Sequence, residues 1–175
     1  MQKKRADWIL ERIHKHHDRK SFSCGKSELD TYLRHFARQN DEHGIGCTYV
    51  AVQSNSNTVA GYFTLSTASI EFVNLPKHLA KGIPKYPIPC VLIGKLAVAR
   101  DRQGQGIGRF LLWEALRIAF NVAQEIAIFL VVVDALDEDA RQFYLHNGFE
   151  GLKEDRRRLA VSVKAMRQLL SKEKI

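Results

Sequence analysis

The 175-residue chain is long enough for one well-formed hydrophobic core and too short for two comfortable domains. Hydrophobic residues make up 45% of it, which excludes disorder of the whole chain. Its formal charge of +8 favours polyanionic partners: nucleic acid, an acidic protein or a phosphate-rich ligand. The charge is uneven, with seven Lys/Arg against three acids in Met1–Lys20 and eight against three in Leu152–Ile175. The longest apolar run, Ile126 to Val133, is strand-sized, so no membrane span is expected. No apolar segment follows the basic start Met1-Gln2-Lys3-Lys4-Arg5, so secretion is not indicated. Cys24, Cys47 and Cys90 are odd in number and widely spaced, which suits small buried thiols in a reducing cytoplasm. No Cys-x-x-Cys or His-x-x-x-His pair argues for a metal.

Residues 3–16 predict a short helix with Trp8, Ile9 and Ile13 on one face, followed by a polar His14, His16 and His17 terminus. Residues 1–16 read as a basic extension ahead of a single domain at 17–175. Ser27 is expected to cap a helix that runs to about Asn40 and buries Leu29, Leu33, Phe36 and Ala37. Cys47–Gln53 and Thr58–Ser66 predict a hairpin joined by Ser54-Asn55-Ser56-Asn57, with the second strand extending through Ile70 to Val73. Residues 74–89 hold all four prolines and predict an irregular loop. A strand at 91–99, a glycine loop and a helix to about Gln124 come next. Ile126–Val133 predicts a strand buried on both faces. A helix opening on Asp137-Glu138-Asp139 should end at Asn147-Gly148, and Phe149 and Leu159–Val163 supply closing strands. The expected fold is α/β (or α+β), one mixed central sheet with helices on both faces.

Arg102-Gln103-Gly104-Gln105-Gly106-Ile107-Gly108-Arg109 carries the strongest functional signal. Glycines at alternate positions let the backbone turn tightly and approach a ligand without Cβ interference. The first amides of the following helix have no intrahelical acceptor, and the helix dipole adds positive potential there. Strand, turn and helix N-terminus together form an anion cradle suited to pyrophosphate. No Gly-Lys-Ser/Thr is present to ligate magnesium, which argues against a P-loop. The Gly-x-Gly-x-Gly pattern in the second half of the chain does not fit a dinucleotide fingerprint. A glycine-rich turn that merely packs a helix on a sheet is the plain alternative.

The Gln103-x-x-Gly106-x-Gly108 spacing after Leu96-Ala97-Val98 resembles the acetyl-CoA loop of the GNAT acetyltransferases. Asp137 to Phe149 is similar to that superfamily's second block, including Ala140, the aromatic pair ending in Tyr144, and a terminal Gly-Phe. Family members usually have Asn where this chain has Asp137. His17–Gly25, Leu29–Leu33, Gly61–Leu65 and Ile93–Val98 resemble the GNAT toxins of bacterial type II toxin–antitoxin systems, where Arg is typical at the position of Lys95. The resemblance implies acetyl transfer from acetyl-CoA to the α-amino group of aminoacyl-tRNA, which blocks translation. It further implies a ribbon-helix-helix antitoxin, a homodimer and a cytoplasmic location.

Carried onto this sequence, the resemblance implies that Leu96, Ala97 and Val98 pair with pantetheine. It assigns Gln103, Gly104, Gln105, Gly106, Ile107, Gly108 and Arg109 to the pyrophosphate, with Asp137 as a further cofactor contact. Tyr144 is cast as the acid that protonates the departing thiolate. An aminoacyl ester amine titrates near or below ~8, so a substantial fraction is neutral without a dedicated base. Arg34, Arg38, Lys95 and Arg156–Arg158 are the expected contacts to tRNA. Two other functions stay open at this point: acetylation of a small amine or protein amine, and a non-catalytic basic nucleic-acid-binding module.

Overall fold

The computed structural model describes residues 8–153 and 155–172. The fold divides into two compact units, Met1–Leu65 with Lys95–Leu112, and Ser66–Gly94 with Trp113–Ile175. Two strands, β3 (Gly61–Ile70) and β4 (Ile88–Val98), run through both. The strand order is β1-β2-β3-β4-β5-β7-β6, a seven-stranded mixed sheet and therefore an α/β fold.

In the first unit, β1 (Trp8–Arg12) and β2 (Cys47–Gln53) pair antiparallel, with Trp8 opposite Gln53 and Arg12 opposite Tyr49. The helix predicted over 3–16 falls partly outside the described residues, and the part that is described is this edge strand. Ladder bonds to β2 override a weak helical pattern, and Ile9 is left 41% exposed on the strand's outer side. The hairpin of β2 and β3 forms as expected, in a register that sets Cys47 opposite Leu65. Its second strand starts at Gly61 rather than Thr58. At Gly61 a Cβ would come 2.7 Å from Leu111 Cδ1 and 2.8 Å from the Ala97 carbonyl, so only glycine lets the sheet and helix approach this closely. The core of this unit gathers Phe22, Leu33, Val50, Val52, Tyr62 and Ala97.

The early helix is broken in its interior. α1 (Ser27–Thr31) passes through a π-helical turn at Tyr32–Phe36 into α2 (Ala37–Glu42). Lys26, not Ser27, occupies the N-cap, and it makes no side-chain cap bond. The π turn widens the helix by one residue and shifts its phase. Leu33 and Ala37 are fully buried, whereas Phe36, expected in the core, is 49% exposed.

In the second unit, β4 pairs parallel with β5 (Leu130–Asp134), and β7 (Arg158–Ser162) pairs antiparallel with β5 and with the short β6 (Glu150–Gly151). The strand predicted from Ile126 begins four residues later, because residues 123–126 close the end of the preceding helix with backbone bonds to Ala119, Asn121 and Val122. The proline-rich segment is more ordered than predicted. It holds the one-turn helix α3 (Lys77–Ala80), and β4 already includes Pro89, whose carbonyl accepts from Phe129. Leu75, Ile88, Cys90, Leu130 and Val132 form this unit's core. The remaining helices are α4 (Ile107–Val122), α5 (Glu138–His146) and α6 (Val163–Lys172). No helix among the described residues is long and apolar enough to cross a membrane.

Candidate functional site

The glycine loop sits where its sequence requires it, between the end of β4 and the start of α4. Gly104 and Gly106 adopt φ of +75° and +85°, and a Cβ at either would meet nothing within 4 Å. These glycines therefore serve backbone conformation and access, not packing. The 16-residue α4 starts at Ile107, and its first intrahelical bond of the turn runs from the Phe110 amide to the Gly106 carbonyl. The amides just ahead of Phe110 form the anion cradle of a helix N-terminus. Ile107 is buried and anchors the turn, while Gly108 is half-buried and Arg109 exposed.

The side chain of Gln103 has a different task. Its Nε2 donates to the Cys24 and Val98 carbonyls, both at 3.0 Å, and so ties the loop to the strand end and to the segment before α1. Gln105 donates back to the Asp101 carbonyl. In this loop the side chains brace, and the backbone is what is presented.

Pairing of β4 with β5 covers Cys90↔Leu130 to Ile93↔Val133. Lys95 to Val98 continue the strand beyond the last of these pairs. Leu96 and Val98 are half-buried, and Ala97 faces the core. Lys95 lies beside a cavity of about 360 Å³ lined by Ser27, Glu28, Thr31, Tyr32 and Phe36. Its ammonium pairs with Glu28 Oε1 at 3.1 Å and sits 5.6 Å above the Tyr32 ring. Sequence reasoning missed Glu28, Tyr32 and Phe36 here. The only signal was an aromatic on the helix, and a regular 3.6-residue period assigned it to the core. Asp30 fixes the neighbouring segment, accepting from the Cys24 amide at 2.8 Å and from Ser23. Burial opposes its charge, yet these bonds hold the carboxyl below its ordinary range.

Of the expected tRNA contacts, Arg34 turns inward, its Nη2 donating to the Phe22 carbonyl, and Arg38 pairs with Glu42. Arg158 makes a two-pronged contact with Asp134, at 2.7 and 3.1 Å. Each already spends part of its donor set on a bond within the protein. The histidines, expected as a polar terminus, form a network. His17 is 4% exposed; its Nδ1 accepts from the His14 amide at 2.9 Å, so its Nε2–H donates to Glu11 at 2.9 Å. Glu11, His16 and His17 approach within ligand reach of one another, but the His17 tautomer is already committed to this lock.

In the second unit, Asp137 caps α5, its Oδ1 accepting from the Ala140 amide at 2.9 Å. Gly148, at φ +91°, closes the helix as expected. Tyr144 is 6% exposed between Phe143 and Phe149, with ring centroids 5.3 and 5.4 Å away. Burial raises its phenol above the ordinary value, so the hydroxyl stays protonated throughout the neutral range.

The model of the acetyltransferase (GNAT) family matches residues 10–149. The chain is 34% identical over 150 residues to a tRNA-acetylating toxin of Mycobacterium tuberculosis, covering 86% of this chain and 89% of that protein. Among solved structures, AtaT complexed with acetyl-methionyl-tRNAfMet aligns with a TM-score of 0.87 at 30% identity, covering 93% of this chain and 99% of that one. A Tyr-to-Phe mutant of the toxin AtaT, bound to acetyl-CoA and the C-terminus of the antitoxin AtaR, aligns with a TM-score of 0.80 at 26% identity, covering 94% and 99%.

Proposed function

Because the chain belongs to the acetyltransferase (GNAT) family, we propose that it acetylates the α-amino group of aminoacyl-tRNA and thereby acts as a translation-blocking toxin. The observation that carries this reading is the exposed glycine backbone at Gly104 and Gly106 opening onto the N-terminus of α4, in a chain alike over most of its length to a tRNA-acetylating toxin. Acetyl-CoA supplies the acetyl group, activated as a thioester. The amides from Gly104 to Arg109 hold its pyrophosphate, and the free edge of Leu96–Val98 receives the pantetheine arm.

The acceptor amine enters the cavity beside Lys95. Glu28, paired with Lys95, forms the polar end of this cavity, and Tyr32 and Phe36 offer apolar walls to an amino-acid side chain. Such an amine, titrating near ~8, loses its proton readily at neutral pH and attacks as the free base. A backbone amide of the β4 segment polarises the thioester carbonyl as negative charge grows on oxygen. Tyr144 keeps its proton until the sulfur leaves and then donates it; the attacking nitrogen sheds one proton as the amide forms, and that proton returns through solvent to the phenolate. Burial disfavours the phenolate, which keeps the proton on Tyr144 until a base is generated beside it.

Asp137 acts through the backbone it caps, in place of the Asn usual in the family. A ribbon-helix-helix antitoxin, a homodimeric state and a cytoplasmic location complete the reading. The antitoxin partner is supported by the likeness to AtaT bound to AtaR. The test is incubation with labelled acetyl-CoA and total charged tRNA, followed by nuclease digestion and mass analysis. N-acetyl aminoacyl-adenosine is the expected product. Label only on protein or free amines would refute the acceptor.

A further inference from the structure

A second cavity, of about 550 Å³, opens beside Trp8 at the start of β1. It shares Arg102 with the start of the glycine-loop segment but includes none of Gln103–Arg109 and none of the residues of the Lys95 pocket. Its floor is apolar, made by the buried residues Phe22, Val59 and Ala99. Its rim carries the hydroxyls of Ser21, Ser23 and Thr58, and its far side is closed by Arg100 and Arg102. Asp101 lies between the two arginines, 3.5 Å from Arg102 Nε, which leaves that side with a net positive charge.

The walls are held in place. The Arg100 amide donates to the Ser23 carbonyl at 2.8 Å, and its guanidinium lies over Gly25, where a Cβ would come 2.8 Å from Nη2. Gly25, at φ +90°, thus leaves room for that arginine. The backbone of Trp8 is held by its ladder position opposite Gln53. The stretch from Ser21 to Ser27 borders this cavity at one end and the Lys95 pocket at the other. The two cavities thus share one bordering segment of the same unit.

An indole wall, an apolar floor, a hydroxyl rim and guanidiniums on one side match the parts of a nucleotide. The base stacks, its edge meets hydroxyls, and the phosphate meets arginine. A duplex has no unstacked base to offer such a slot, whereas a single strand has. We propose that this cavity is a nucleotide slot that grips the unpaired 3′ strand of the RNA whose aminoacyl end reaches the Lys95 pocket. The proposal rests on charged tRNA being the acceptor. Trp8 and Thr58 are positioning residues in it, since they hold the RNA away from the reacting atoms.

The chain has two tryptophans, so a Trp113→Phe background leaves Trp8 as the sole reporter. The probe is the trinucleotide CCA, the 3′ sequence shared by tRNAs. Saturable quenching of Trp8 is expected. It should weaken with salt at a log–log slope of about 0.7 per phosphate neutralised. Thr58→Phe fills the slot while keeping the backbone bridge to Asp18. It should abolish the quenching and raise KM for charged tRNA at least tenfold. Its kcat, its acetyl-CoA affinity and its acetylation of an amino-acid methyl ester should stay within twofold of the parent. Absence of CCA quenching in the parent overturns the proposal. So does an equal loss of acetyl-CoA affinity in Thr58→Phe, which would give the slot to the cofactor's adenylate. If CCA quenches and Thr58→Phe abolishes it while the parent leaves charged tRNA unacetylated, the slot stands and the acceptor reading falls.

Discussion

The glycine loop and the Tyr144 helix turn are both assigned to one reaction, yet they are built on opposite principles. In the loop the ligand surface is backbone: Gly104 and Gly106 present amides, and Gln103 and Gln105 brace from behind. At Tyr144 the surface is a single hydroxyl carried by a ring packed between two phenylalanines. A backbone site is damaged by added bulk and tolerates changes of side-chain chemistry. A one-atom site is damaged by deleting that atom and tolerates nothing else being moved.

The largest effect should come from Tyr144→Phe. It removes one oxygen and leaves the ring packing, so turnover should fall roughly 10²–10⁴-fold with acetyl-CoA affinity unchanged, as measured by single-turnover kinetics and calorimetry. Turnover within twofold of the parent would make Tyr144 a packing residue.

Gly106→Val attacks the other half. At φ +85° a β-branched residue costs about 1–2 kcal/mol in backbone strain, and its side chain projects into the open space above the cradle. Losing one charge-assisted amide contact is worth about 1.5–3 kcal/mol, so acetyl-CoA should bind roughly ten- to a hundredfold more weakly. Unchanged affinity in the folded variant would move the pyrophosphate elsewhere.

A smaller effect separates capping from ligand contact at Asp137. Asp137→Ala should cost about 1 kcal/mol of stability, seen as a fall in Tm of roughly 2–4 °C, whereas Asp137→Asn keeps the cap and should be nearly neutral. If Asn instead altered acetyl-CoA affinity, the side chain would be touching the cofactor as well.

The smallest effect concerns the thiols. Burial pushes Cys24 and Cys90 up to about 11. At pH 8 only about one in a thousand of either is thiolate, against about a quarter of ordinary thiols. Iodoacetamide at pH 8 should leave both intact in the folded protein and label them in urea. Rapid labelling of either in the native state would contradict its burial.

How legible these regions were from sequence follows from how local their causes are. The loop, α4, α5 with its acidic start and Gly148 stop, and the β2–β3 hairpin are encoded by neighbours a few residues apart and form where expected to within a few residues, whereas the Asp137 cap emerges only from the structure. β1 owes its existence to a partner some forty residues away, and its short apolar pattern fits a helix as readily as a strand. The π turn at Tyr32–Phe36 left no trace in a 3.6-residue reading, so Phe36 was placed in the core and the pocket it lines went unseen. Arg34 was legible as a charge but not as a donor to Phe22, because a carbonyl twelve residues away carries no sequence signature. The glycine loop and α5 have local causes; the pocket beside Lys95 depends on tertiary contacts.

The most direct test of the central claim is a competition in one vessel. Parent enzyme is given labelled acetyl-CoA with charged tRNA, the matching free amino acid and a polyamine, and kcat/KM is resolved for each. Charged tRNA should be preferred by orders of magnitude, with a preference that shrinks as salt rises because the RNA phosphates supply much of the binding. A free amino acid or polyamine preferred over charged tRNA would contradict the account.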